Sequence, residues 1–444
     1  MRYNSLLYRG SGMKKIIVAV LLHVILFTIV HAAEFTCGSN GQNNSCTPSR
    51  LSSLVFSASD GDTINIASGS HAWNSSVTVN NKALVIKGAG IDNTIINCSA
   101  DFISFTGSSA GGNVGRISHM TISGSAPFTF INVGSSYRWV VHNIKSTNRG
   151  SDTWVIHANS GSLGVVHSCQ FYANGNNASV MMVKGNINWW NQTLSWGDAN
   201  KVYVEGNTYY NTQCVAGKPF IDGDDGAKFV FRFNTITNMQ GGMHGRDSSP
   251  IGGLQAEIYN NRHNNDVRTS PYCSLSQPFL IRGGTGYLFN NHFYMWQPVT
   301  YYGEPAAMQL ACYRCRGIGD APGQSYDENL GSPYPKGYKL SQQCGTGGPG
   351  PHTLVPLYEY NNTGSGNMPA NIDFSSDSPT YIASGRDYYN DAQKPGYSQY
   401  TCPHPLAGSG TCNYSVAGTE GYSITGTTET IPAIPSNLKI IESR

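Results

Sequence analysis

Four stretches decide how this chain is read: Val204-Glu-Gly-Asn-Thr-Tyr209, Phe231-Arg-Phe-Asn-Thr-Ile236, Ile258-Tyr-Asn-Asn-Arg-His263 and Leu288-Phe-Asn-Asn-His-Phe293. Each sets an asparagine (Asn207, Asn234, Asn261, Asn291) three residues after an apolar anchor, and the anchors follow at intervals of 27, 27 and 30. Weaker copies anchored at Ile117, Val141 and Val166 extend the series upstream by intervals of 24, 25 and 38. A period of this size marks a solenoid, whose units bury their apolar faces only against one another. The units are short β-branched and aromatic runs with Gly and Asn at the corners and almost no helical periodicity. The chain is therefore expected to be all-β, a right-handed parallel β-helix of on the order of nine or ten turns.

Asparagine suits that architecture. Parallel strands stack about 4.8 Å apart, so equivalent amides can hydrogen-bond from coil to coil. Asparagine also tolerates the left-handed backbone of tight corners.

Residues 1–32 read as a leader: Lys14 and Lys15 precede the apolar run Ile16 to Val30, which ends on Val30-His31-Ala32. The run is too short to span a membrane. The leader carries Arg2, Arg9, Lys14 and Lys15 and no acid, so its removal turns a formal +2 into −2. A near-neutral chain without a polybasic run is not expected to take nucleic acid or anionic lipid as its main partner. The expected location is outside the cytoplasm, secreted, periplasmic or on the cell surface, and the expected state is a monomer. All eleven cysteines follow the leader. Cys37 with Cys46 and Cys402 with Cys412 are close enough to close small disulfide loops in an oxidising compartment. Cys312-Tyr-Arg-Cys315 is read as a structural pair, and Cys169, in the ladder slot of its coil, as a buried thiol.

Past the leader, residues 33–59 are expected to cap the solenoid, with a short amphipathic helix after Thr47-Pro48 covering the first coil. The β-helix proper is placed at 60–300, irregular loops and closing strands of the same domain at 301–426, and a tail at 427–444. The 38-residue step between Val166 and Val204 holds an insertion, Asn186 to Asn200, with three of the seven tryptophans. Long insertions in a solenoid often form its binding surface. Trp189, Trp190 and Trp196 are thus candidate platforms for sugar rings, whereas Trp296 is read as core.

Counting back six residues from the last four anchors gives a second column, Asp198, Asp225, Gly252 and Arg282. In register, Asp198 and Asp225 would stand about 5 Å apart, as an acid/base pair or as oxygen ligands for calcium. Asp224-Asp225-Gly226 is equally ordinary turn chemistry. Asp222, Asp225, His244, Asp247 and Arg282 form the candidate catalytic set. His244 would move protons, and Arg246 and Arg282 would grip the carboxylates of uronic-acid units.

These residues, with Gly61-Asp-Thr-Ile64, Gly88-Ala-Gly90, Asp222-Gly223, His244-Gly245, Asp247-Ser248, Arg282-Gly-Gly-Thr-Gly286, Gly385-Arg-Asp-Tyr388 and Pro403-His-Pro-Leu406, resemble the pectin-lyase-like superfamily. More narrowly, the chain is similar to exported bacterial right-handed parallel β-helix repeat proteins over about residues 45–410. The resemblance implies polysaccharide lyases, hydrolases and esterases. Of the four polygalacturonase motifs, Asp224-Asp225 resembles the second, Met243-His244-Gly245 most of the third and Arg282 part of the fourth; the Asn-Thr-Asp motif is missing. The expected function is cleavage of an acidic polysaccharide, by a lyase or a glycoside hydrolase. The alternative is a non-catalytic surface β-helix that binds glycans or acts as an adhesin.

Overall fold

The computed structural model describes residues 32–39, 45–107, 113–124, 129–135, 137–147, 154–159, 161–173, 179–185, 194–212, 219–244, 252–265, 277–295, 306–310, 355–366, 368–374, 384–385, 387–413 and 422–424. They build a parallel β-solenoid of about nine turns with a single short helix. Each coil contributes a strand to a first face, turns a tight corner into a second, and crosses to a third before returning. The anchor column is the register of the first face: Ile117 pairs with Val141, Val141 with Val166, Val166 with Val204, Val204 with Phe231, Phe231 with Ile258 and Ile258 with Leu288. These side chains point inward and are almost wholly buried.

The asparagine ladder runs through the corner. Asn234 Oδ1 accepts from the backbone N–H and the Nδ2 of Asn207, both at 3.0 Å, while its own Nδ2 donates to Val204 O and Arg232 O at 2.9 Å and to Asn261 Oδ1 at 3.1 Å. Asn261 and Asn291 repeat the scheme, and Asn362 continues it. Cys169 occupies the slot below Asn207: its Sγ faces Val141 O and His167 O, the carbonyls equivalent to those an asparagine amide would meet, and Asn207 Oδ1 takes its N–H. The left-handed residues are not the ladder asparagines but those just before them, His119, Asn143, Ser168, Phe233, Asn260, Asn290 and Asn361. The two properties of asparagine thus serve adjacent columns.

The coils do not stop at 300. Leu288 pairs with Glu359, and strands Met308–Leu310, Leu357–Tyr360, Thr363–Gly366 and Ile372–Phe374 extend the three faces. A 71-residue step from Asn291 to Asn362 hides the period there. At the other end, Glu34–Cys37 already pairs with Thr63–Ile66, so the first coil begins before the helix.

The helix, Pro48–Ser57, forms where expected: Thr47 Oγ1 accepts the N–H of Arg50, Pro48 fills the first position, and Leu51 and Val55 face the core. Its open C-terminal carbonyls are met by one ammonium, with Lys82 Nζ donating to Val55 O, Phe56 O and Ala58 O. Cys37–Cys46 and Cys402–Cys412 are disulfide-bonded, and Cys98 and Cys169 are buried free thiols. Among the described residues no helix is long and apolar enough to cross a membrane.

The C-terminal segment 387–407 first adds Tyr388–Tyr389 to the first face beside Leu357 and Tyr358, then folds back along the outside of that face as a strap. Ala392 N–H donates to Glu359 O, Tyr397 Oη to Glu257 Oε2, Arg232 to Tyr400 O and Thr401 O, and Arg116 to Leu406 O; His404 N–H donates to Glu205 Oε1. Beneath it lies a second apolar cluster that includes Tyr203, Val230, Tyr259, Tyr287, Phe289 and Leu406. Two ion pairs are sealed there with no exposed side-chain surface, Glu205 with Arg232 at 2.6 Å and Lys201 with Glu257 at 3.1 Å. Burying charge is tolerable only because every partner is present: Arg232 also donates to Tyr259, and Glu257 accepts from Tyr397 and the N–H of Gly197. Further down the same column the rings of His142 and His167 stack at 4.9 Å. Burial first, then neighbouring cationic groups, lower their pKa values to about 2 and about 3, so both are neutral.

Candidate active site

The third face carries the polar constellation. Lys184 pairs in register with Asp224, and Met182 with Asp222. The next coils continue the columns, since His244 N–H donates to Gly223 O and Arg282 N–H to Met243 O. Strand alternation turns Gly223 inward, where an added Cβ would meet Phe229 and Met243, and leaves Asp222 and Asp224 on the outward side. Among the described strands of the face, a register shift marks only the pairing of Pro219–Asp224 with Gln240–Met243, between Pro219 and Asp222. Such irregularities re-aim side chains and favour functional sites. Asp225 follows with φ 50° and Gly226 with φ 80°, a left-handed corner between the third face and the first. Gly242 takes the place beside Asp222 in the next coil, so no side chain from that position overlies the aspartate.

His244 is the centre of the group. Its Nε2 lies 2.9 Å from Asp222 Oδ2 and its Nδ1 lies 3.7 Å from Asp224 Oδ2, too long for a hydrogen bond. Burial, the largest single influence, and the charge of Arg282 both oppose protonation. The bond to Asp222 and the pull of both carboxylates outweigh them and raise the pKa to about 9. At neutral pH the ring is an imidazolium with an Nδ1–H that has no hydrogen-bond partner among the described residues. Lys184 Nζ holds Asp225 Oδ2 at 3.1 Å and stands 3.9 Å from Asp224, which leaves Asp225 Oδ1 buried and without a hydrogen bond. Two strands below Asp222 in the same register is His157, its pKa lowered to about 4 by burial and by Lys184. The site thus holds one charged proton donor, one unbonded carboxylate oxygen, and two flanking cations, Lys184 and Arg282.

The structure brings Asp222, Asp225, His244 and Arg282 to one face. It does not bring Asp198 there. Asp198 lies on the return leg of the insertion, bound to Lys201 Nζ at 2.6 Å, and so cannot form the expected pair with Asp225, which turns to Lys184. The count back from the anchors fails in this coil because the insertion lies between the third face and Val204. Among the described residues no three His, Cys, Asp or Glu side chains gather as a metal set. Trp196 is not a protruding platform either. It packs edge-on against Tyr397 of the strap with Lys394 Nζ 4.1 Å from its ring, because residues 194–200 lie against the first face, Ser195 bonded to Gln255 and Gly197 to Glu257. Trp189, Trp190, Arg246, Asp247, Trp296, Cys312 and Cys315, the leader up to residue 31 and the 427–444 tail lie outside the described residues. Lys184 and His157 complete the constellation and were not singled out from sequence; Asp224 entered only as half of the Asp224-Asp225 motif. Aligning third-face strands rather than first-face anchors finds them.

No family model and no curated protein matches the chain. Solved structures resemble it in overall shape. An alginate lyase from Paenibacillus sp. str. FPU-7 is 12% identical with a TM-score of 0.43 over 78% of this chain and 98% of that one. A PL6 family alginate lyase, AlyGC, is 9% identical with a TM-score of 0.38 over 90% of this chain and 57% of the other. The catalytic domain of a GH87 α-1,3-glucanase, in complex with nigerose, is 12% identical with a TM-score of 0.30 over 82% and 68%. These likenesses concern the fold and assign no activity.

Proposed function

We propose that the chain is an exported, monomeric β-helix enzyme that cleaves an acidic polysaccharide on its third face. The observation that carries this reading is the outward column Lys184, Asp224, His244 and Arg282, with Asp222 bonded to the histidine and Asp225 to the lysine. Lys184 and Arg282 flank the carboxylates and are of the charge that would draw uronate units along the column. His244, held protonated by Asp222, gives its Nδ1 proton to the departing glycosidic oxygen. The Asp225 carboxylate, partly exposed and held by Lys184, takes a proton from the sugar or from a water. The first route is elimination and the second hydrolysis, and both use the same acid. The disulfides Cys37–Cys46 and Cys402–Cys412 suit an oxidising compartment.

The test is a panel of pectic, alginate-like and other acidic glycans, with and without a chelator. Near-ultraviolet absorbance of an unsaturated uronic product identifies elimination; new reducing ends without it identify hydrolysis. Loss of either signal when calcium is chelated would restore a role for a metal that the carboxylates hold. Asp225→Ala is expected to abolish the signal with little change in stability. Binding of a glycan with neither signal would overturn the proposal in favour of a non-catalytic glycan binder or adhesin.

A further inference from the structure

The strap ends over a run of histidines that takes no residue from the cleavage face. His142 and His167 pair on neighbouring strands of the first face with their rings parallel at 4.9 Å, and His119 meets His142 edge-on at 5.2 Å. His404 belongs to the strap itself, its ring centre 4.6 Å from that of Tyr203 and 5.3 Å from that of Tyr400. His142, His167 and His404 are all buried. Their hydrogen bonds call for neutral rings. His404 Nδ1 accepts the Leu406 N–H at 3.1 Å, and His142 Nδ1 accepts from the Asn143 amide nitrogen at 3.4 Å. His167 Nε2 is buried with no hydrogen-bond partner among the described residues. A proton added to any of these nitrogens therefore breaks a bond or buries an N–H without an acceptor.

The charges around the rings oppose protonation as well. Arg116 faces His142 and His167 and donates to Leu406 O, Lys87 faces His142, Arg138 begins the strand that carries His142, and Arg232 faces His404. The carboxylate at this end, Glu205, is engaged on both oxygens, Oε2 with Arg232 and Oε1 with the His404 N–H. The phenols of Tyr203 and Tyr400 and the Cys169 thiol add no negative charge, since burial raises the pKa of each. Burial, then Arg232 and His167, lowers the pKa of His404 to about 3, close to the values of the other two rings.

We infer that the end of the strap is an acid-released latch: segment 402–407 lies closed on the first face while His404 and the His142–His167 stack are neutral, and comes free when they take up protons. Upstream, Glu257 holds Tyr397 and Arg232 holds the carbonyls of Tyr400 and Thr401, so the release is local. The folded pKa values lie below the ordinary 6.5. The closed state is thus fully favoured above about pH 6.5 and is lost as pH falls toward about 3. Each histidine that opening exposes multiplies the opening equilibrium about tenfold per pH unit through that window, or about a hundredfold at pH 4.5.

Amide hydrogen exchange of the full chain from pH 7.5 to about pH 4.5, corrected for the intrinsic rate at each pH, reads the opening. The reporters are the His404 N–H, given to Glu205 Oε1, and the Ala407 N–H, given to His404 O; the Ala392 N–H, given to Glu359 O, is the control within the strap. Protection of the reporters is expected to fall about tenfold or more per pH unit below pH 6.5 while Ala392 keeps its protection. His404→Gln and His167→Gln are each expected to flatten that dependence by about tenfold per pH unit. A histidine that only fills space would change protection equally at every pH and leave the slope as it is. Reporter protection independent of pH in the parent, a slope unchanged in both variants, or loss of protection at Ala392 together with the reporters overturns the inference. The glycan assays on the third face are independent of each of these results.

Discussion

Replacing Asn234 with aspartate tests the ladder at its centre. The side chain is fully buried, and its Nδ2 faces Val204 O, Arg232 O and Asn261 Oδ1 at 2.9, 2.9 and 3.1 Å. In Asn234→Asp an oxygen faces those three oxygens, and the donations are lost at about 1 kcal/mol each. The carboxylate cannot stay ionised there cheaply. Holding it protonated at pH 7 against an unfolded pKa near ~3.9 costs about 4 kcal/mol, although a neutral carboxyl can return one donation. The expected loss at pH 7 is therefore about 4–6 kcal/mol. Because the folded pKa would be raised, the ionisation part is absent below about pH 4 and grows as pH rises through the unfolded value. Denaturant unfolding of mutant and parent at pH 7 and pH 4 measures both parts, with Asn74→Asp as an exposed control. A difference at pH 7 within about 0.5 kcal/mol of that control would refute the ladder as a structural element.

Cys169→Asn should be tolerated without loss of stability, since an amide there finds the carbonyls of Val141 and His167 already in place; a marked drop in unfolding midpoint would show the slot to be shaped for sulfur. Arg232→Met strands the buried Glu205 carboxylate and should cost about 3–5 kcal/mol, with protease sensitivity appearing in the 387–407 strap. The double change Glu205→Gln with Arg232→Met should recover most of that loss, and no recovery would mean that the arginine acts on the strap independently of Glu205. For His244 the folded pKa, about 9, lies above the ordinary value of 6.5. Its pairing with Asp222 and Asp224 should thus stabilise fully below about pH 6.5 and fade as pH rises through about 9. Unfolding midpoints across that window should fall in the parent and not in His244→Gln.

The sequence made the coils legible because the solenoid repeats its contacts. An anchor at Val204 needs one at Phe231, so register follows from spacing alone. Three things broke that logic. The insertion before Val204 shifted Asp198 off the site and onto Lys201. The long step after Asn291 concealed Asn362 and the last coils. The strap makes contacts across as many as 290 residues of sequence, as in Tyr397 with Glu257 and Arg116 with Leu406, and no local pattern encodes them. The site was half legible for the same reason. Asp222, Asp225 and His244 lie within one short step of the third face, whereas Lys184 is separated from Asp225 by 41 residues that include the insertion.

The most direct test of the central claim is a crystal structure of Asp225→Ala with an acidic hexasaccharide. The account predicts a chain lying along the third face, its carboxylates toward Lys184 and Arg282 and a glycosidic oxygen within hydrogen-bond reach of His244 Nδ1. Sugar bound only elsewhere on the solenoid, with the third face empty, would contradict it.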